Sequence, residues 1–341
     1  MTEQSKAKKQ FIIFLLIAYG VTCITGIMTW YGSTIPTELS IFPSAQMFYP
    51  AAGVMLAYLL TQWKDERLPK AFYLCFLAVT FVMIAGCVMA IAAPGEPVFV
   101  AGQELSRWSL IAQYVMIVGT ILCWIMLLIC GRERREAYGL RWKNWKASLL
   151  CIFVFLVLYF GRGMLSYVLD GQADMIAEIL GNPTALGYLL VMPINFLLSC
   201  MPFLGEEYGW RYYLQPLLQK KFGMRQGVLI LGVVWGLWHI FLDFFFYTTP
   251  DRGVIMTVSQ IITCLGLGIF FGWAYLKTEN IWVPVILHYL NNNLIVVVAN
   301  EYSTGVLQNQ AVTWGMIPAA ILLNGILFGV FILSKEFRKR E

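Results

Sequence analysis

The chain has 341 residues, 59% hydrophobic and only 13% charged, with a mean hydropathy of +0.70; a soluble domain carries about a quarter charged residues and cannot hide this much apolar surface. That balance excludes an ordinary soluble enzyme and leaves an all-α polytopic membrane protein. The net charge of +5 sits in a few loops and gives no reason to invoke nucleic acid.

Crossing a bilayer takes roughly 20 apolar residues, and about ten such segments can be laid out. In chain order their cores are 11–30, 47–63, 71–93, 108–130 and 147–169, then 187–204 (extending towards 218), 227–247, 254–276, 281–299 and 313–334. The first is expected to be a span and not a cleaved signal peptide, because it is long and runs directly into further spans. Lys6, Lys8 and Lys9, the stretches 64–70, 132–146 and 220–225, Lys277 and the stretch 335–340 hold most of the Lys and Arg. Ten crossings put all of them on one side, leaving only Arg107 and Arg252 in opposite loops. The positive-inside rule then makes both termini cytoplasmic in a multi-pass cell-membrane protein. All eight cysteines fall within or at the ends of apolar segments without CxxC spacing, so they read as small hydrophobes. The basic loop 131–146 is the clearest internal boundary. It divides an N-terminal four-helix region of unknown role (1–146) from a C-terminal six-helix region (147–341).

An ionisable side chain at bilayer depth is costly and marks a functional site by default. Arg162, Glu206, Glu207, Arg211, His239, Asp243 and His288 remain once loop residues are removed, and both histidines of the chain are among them. Six of the seven lie on three helices of the C-terminal region. At 1.5 Å per residue, Glu206, His239 and His288 all fall on the order of 12–18 Å from the cytoplasmic boundary, so a carboxylate and two imidazoles can meet.

Helical spacing then separates their roles. Glu207 and Arg211 are four apart and can pair, whereas Glu206 is turned away and free to face the bundle. A carboxylate in an apolar pocket near imidazole can act as a general base towards water. Trp235 and Asp243 each lie four residues from His239, giving the imidazole an aromatic and a carboxylate as face neighbours. Asp243 is a candidate acceptor for one of its nitrogens; the blander reading makes it a solvated helix end. His288 and Asn292 share a face and offer two donors of the kind an oxyanion needs. Arg162 reads as a packing or snorkelling residue. Asn291 and Asn293 read as bonding neighbouring helices.

The pattern Glu206-Glu207-x-x-x-Arg211, an aromatic at 235 followed by His239, and His288-x-x-x-Asn292 resembles the three motifs of the CPBP intramembrane protease family, which includes type II CAAX prenyl endopeptidases and bacterial Abi proteins. The resemblance covers about 187–299. Trp235 stands where that family usually has Phe. The resemblance implies an intramembrane endopeptidase with its active site buried among the C-terminal helices and a membrane-embedded or lipid-linked peptide substrate. It implies that Glu206 activates water with help from His239, that His288 and Asn292 form an oxyanion hole, and that Glu207 with Arg211 stabilises the site. No cofactor is favoured. If zinc is used, Glu206, His239 and His288 are the set that could hold it, although the chain has no HExxH. Two readings of other classes use the same residues: a transporter or proton relay through the buried charges, and a non-catalytic membrane immunity protein.

Overall fold

The computed structural model describes residues 2–100, 103–302 and 306–338. It is helical throughout, apart from a two-stranded antiparallel hairpin that pairs Val98–Val100 with Gln103–Leu105. Among the described residues, seven helices are long and apolar enough to cross a membrane. These are α1 (Glu3–Gly32), α3 (Lys70–Ala92), α4 (Arg107–Ile129), α5 (Trp145–Leu169), α8 (Met224–Phe245), α9 (Pro250–Thr278) and α11 (Trp314–Leu333). An eighth candidate, α6, is a pair, Asp174–Gly181 and Pro183–Ser199, bent by 61°.

Ten spans are therefore not what the structure shows; seven or eight meet the requirement. The segment expected at 47–63 is the short helix α2 (Tyr49–Gln62), and the one expected at 281–299 is the short apolar helix α10 (Trp282–Val298). The segment expected from 187 divides: the bent α6 ends at Ser199, and a separate helix α7 follows over 201–222. Pro202 sits in the first turn of α7, where a proline lacks nothing the helix needs and α6 cannot continue through it. Much of the length of these helices is enclosed by protein. Every residue from Met201 to Arg211 is buried, and most of Tyr49–Leu59 is too. Periodicity reports apolar length; it does not separate a helix facing lipid from one wrapped in protein.

The two ends of the bundle are chemically distinct. At one, the Gln10 amide donates to Thr61, Tyr138 donates to Asp65 and Arg134 to the Glu66 carbonyl. At the same end Asn144 donates to the Thr278 carbonyl, and Lys277 pairs with Glu336 at 3.3 Å. The basic loops thus gather together. At the opposite end of α1, Gln308 donates to Glu38, and residues 309–310 bond back to Phe246, Tyr247 and Thr248.

The N-terminal helices are the wall against which α7 and α8 stand. A Cβ on Gly205 would run into the Met47 carbonyl oxygen, and one on Gly209 into Pro50. Glycine at these two positions lets α7 approach α2 backbone to backbone, the close packing small residues allow where lipid offers no hydrophobic drive. The Tyr19 hydroxyl donates to the Val234 carbonyl, the Trp238 indole to the Ala18 carbonyl, and the Gln46 amide to the Trp238 carbonyl. These bonds fix α8 against α1 and against the short helix Ile41–Gln46.

Candidate active site

Glu206 is the last residue but one of the first regular stretch of α7, Met201–Glu207; from Tyr208 to Leu214 the helix widens into π turns before resuming at Gln215. Insertions of this kind are frequent at functional sites. The Glu206 side chain is buried, and one of its oxygens, Oε2, accepts two indole N–H groups: Trp235 at 2.7 Å and Trp210, four residues on, at 3.3 Å. Two donors on one oxygen hold the carboxylate and leave Oε1 towards His288, whose Nε2 is 4.0 Å away. The indole at 235 thus does what a phenylalanine there cannot, because its N–H is a donor. Spacing alone marked Trp235 only as a face neighbour of His239, and Trp210 went unmarked.

His239 sits in a break of α8. Regular helix ends at Leu237 and restarts at Ile240, and the His239 amide bonds to the Gly236 carbonyl. The Trp235 carbonyl is thereby freed and takes the Nδ1–H of His239 at 2.9 Å. A carbonyl can only accept, so this bond fixes the proton on Nδ1 and turns Nε2 away from it. Asp243 does not play that part. Helical side chains lean towards the N-terminus, so the imidazole reaches back to Trp235 and not forward to Asp243. Nor is Asp243 a solvated helix end. It is 0% exposed, and both its oxygens lack an aligned hydrogen-bond partner among the described residues, with Thr257 beside them.

His288 joins both glutamates. Its Nδ1 donates to Glu207 Oε1 at 2.9 Å, and Glu207 Oε2 faces Arg211 Nε at 3.1 Å, with both members of that ion pair 0% exposed. The pair meets by distance without hydrogen-bond alignment. The guanidinium also lies over Trp235 at 4.3 Å and Phe271 at 5.3 Å. Glu207 is thus both the counter-charge of Arg211, as its spacing predicts, and the anchor of His288, which lies 81 residues away and was out of reach of any spacing argument.

Asn292 follows His288 by one turn of α10. Its Oδ1 accepts the Asn291 side-chain amide at 3.0 Å, leaving its own NH2 unclaimed by that contact. Asn291 is tied down in turn, since its carbonyl accepts the Tyr159 hydroxyl at 3.0 Å. Asn291 therefore supports Asn292, whereas Asn293 bonds the Tyr289 carbonyl, within its own helix. Glu206, Trp235, His239, His288 and Asn292 line one cavity of about 670 Å³ that extends to Ser40, Gln308 and Gln310, at the end remote from the basic loops. Among the described residues no three His, Cys, Asp or Glu side chains are arranged to hold a metal ion.

Residues 186–294 match the family model for type II CAAX prenyl endopeptidase Rce1-like proteins. Over 137 residues the chain is 27% identical to CAAX prenyl protease 2 of Methanococcus maripaludis, an alignment covering 39% of this chain and 49% of that protein. The chain therefore spans about half the length of this curated relative. No solved structure matches.

Proposed function

We propose, for a chain whose residues 186–294 belong to the Rce1-like type II CAAX prenyl endopeptidase (CPBP) family, a protease family, that it is an intramembrane endopeptidase in which Glu206 activates the attacking water. The observation that carries this reading is the position of Glu206: one oxygen is held by two indoles, the other faces His288 Nε2 at 4.0 Å, and it shares a cavity with both imidazoles and Asn292.

In this mechanism Glu206 Oε1 takes a proton from water while the water oxygen attacks the scissile carbonyl carbon. The Nε2 of His239, oriented through the Trp235 carbonyl, accepts a hydrogen bond from the same water. The carbonyl oxygen becomes an oxyanion that is stabilised by the Asn292 amide and by the Nε2 edge of His288, whose Nδ1 is anchored on Glu207. Collapse breaks the C–N bond, and the proton held by Glu206 passes to the leaving amine. Water is consumed and two peptides are released.

The substrate class is a membrane-embedded or lipid-linked peptide, as the family name supports. The gathering of the basic loops at one end supports a cytoplasmic placement of that end and of both termini. The test is Glu206→Gln, which keeps shape and hydrogen bonding to the indoles but cannot take a proton. Purified in detergent, this variant should lose about 10²–10⁴-fold in turnover of a farnesylated peptide while melting like the parent. Undiminished cleavage by Glu206→Gln would overturn the assignment. A relay reading predicts instead that the same variant loses proton uptake in proteoliposomes while the parent shows no peptidase activity.

A further inference from the structure

Among the described residues one pair of sulfurs is in contact, far from the catalytic cavity. The Cys123 thiol donates to Cys75 Sγ at 3.8 Å, across the interface between α4 and α3. One turn further along α3, Val79 meets Gly119, one turn back along α4. A Cβ on Gly119 would come within 2.8 Å of both Val79 methyls. The two helices are therefore antiparallel, and glycine lets them close beside the sulfurs as small residues do in membranes. The pair is also asymmetric. Cys123 is 0% exposed, whereas Cys75 is half-buried and stands beside Leu74 and Ala78, which face outward from the bundle. Cys75 lies about 7.5 Å along α3 from its start at Lys70, just below the end where the basic loops gather. Other cysteines are placed differently: Cys87 and Cys130 donate to backbone carbonyls, and Cys23 is exposed but outside this contact.

We infer that Cys75 and Cys123 form a thiol–disulfide site that reacts with hydroperoxides carried by membrane lipids. The reagent is matched by position: a polar hydroperoxide group on an acyl chain is costly in hydrocarbon and is drawn towards the headgroups, to the shallow depth of Cys75. The Cys75 thiolate attacks the terminal oxygen of the hydroperoxide. An S–O bond forms, the O–O bond breaks, and the alkoxide leaves with the thiol's proton as a lipid alcohol, giving a sulfenic acid. The Cys123 sulfur then attacks the Cys75 sulfur. The S–S bond forms, the S–O bond breaks, and hydroxide leaves with the Cys123 proton as water. Two thiols give up two electrons and one hydroperoxide is reduced. Closing the bond takes the sulfurs from 3.8 Å to about 2.05 Å, a side-chain rotation between helices already in contact. A dithiol reductant reverses it by attacking the accessible Cys75 sulfur. The bond also ties α3 to a brace of the catalytic region. Trp124, next to Cys123, donates to the Leu197 carbonyl of α6 at 2.9 Å and stacks at 4.9 Å on Trp282, the first residue of α10.

The experiment places the full chain in phosphatidylcholine vesicles containing the hydroperoxide of linoleoyl phosphatidylcholine, then maps thiols by maleimide labelling, digestion and mass spectrometry. The parent should yield a Cys75–Cys123 linked peptide, two hydrogen masses below the sum of its parts, and lose maleimide labelling at both positions. Dithiothreitol should restore both thiols. Cys123→Ser removes the resolving sulfur, so Cys75 should be captured by dimedone as the sulfenic acid. Cys75→Ser should leave Cys123 a free thiol. Cys200→Ser is the control: Cys200 is buried beside Trp124, and its loss should not change the linked peptide. Cross-linking across a sequence separation of 48 should also raise the melting temperature of the oxidised parent. A dimedone adduct at Cys75 of the parent with no linked peptide overturns the inference, as does a bond from either cysteine to Cys200. Oxidation by aqueous hydrogen peroxide but not by the lipid hydroperoxide refutes the lipid-borne reagent. A fall in melting temperature on oxidation would show that the helices do not meet in this register, and refutes the site.

Discussion

Removing the charge of Glu207 alone should unfold this protein far more readily than removing that of its neighbour Glu206. Glu207→Gln preserves volume, and its amide oxygen can still accept the Nδ1–H of His288. What it removes is the counter-charge of Arg211, 3.1 Å away in a pair that is 0% exposed on both sides. The guanidinium has no aligned hydrogen bond to fall back on. The faces of Trp235 and Phe271 are worth about 2 kcal/mol to a desolvated cation at most. Breaking a buried pair from one side costs ~3–5 kcal/mol because the partner is stranded. At ~2 °C per kcal/mol, the scale for large domains, the melting temperature in detergent should fall by ~6–10 °C. Glu206 has no such partner: His288 is 4.0 Å from it, and its nearer contacts are indoles that can also donate to an amide oxygen. Glu206→Gln should therefore lose turnover and keep its melting temperature. The double variant Glu207→Gln/Arg211→Met removes both charges and should recover much of the lost stability. Melting temperatures equal for parent and Glu207→Gln, or a double variant less stable than the single, would refute the view that the pair carries the site structurally.

Asn292→Ala removes one oxyanion donor and should lower kcat by about 10²–10³-fold with little change in melting, and unchanged kcat would remove Asn292 from the reaction. Asp243→Asn should leave turnover near that of the parent, because His239 takes its Nδ1 partner from Trp235; a drop of ~10-fold or more, the mark of an orienting partner, would reinstate Asp243 beside His239. Gly209→Ala drives a methyl group into Pro50 and should cost at least the ~1–3 kcal/mol of an overpacked core, so expression at parental level with an unshifted melting curve counts against the close approach of α7 and α2. A reporter fused after Glu341 should be cytoplasmic, and an extracytoplasmic signal would reverse the orientation drawn from the basic loops.

Much of this was legible in the chain itself, because the bilayer makes polarity informative. Seven of the long helices follow from apolar length, and the short roster of ionisable residues at depth already holds Glu206, Glu207, Arg211, His239 and His288. The Glu207–Arg211 pair follows from a spacing of four, and so does the turning of Glu206 away from it. What the chain could not disclose depends on the way helices cross. Counting apolar residues gives ten spans, yet α2, α7 and α10 are short or polar helices sheltered by others, and hydropathy does not know what surrounds a helix. The break at Trp238–His239 decides that His239 answers to its own backbone and not to Asp243. Tertiary packing alone brings His288 to Glu207, the Trp235 indole to Glu206, and Arg162 to the wall of the same cavity. Each of these meetings joins residues on different helices, separated by tens of positions in the chain. A periodicity of 3.6 fixes the face a side chain occupies on its own helix; only the register and crossing of neighbouring helices fix what that face meets.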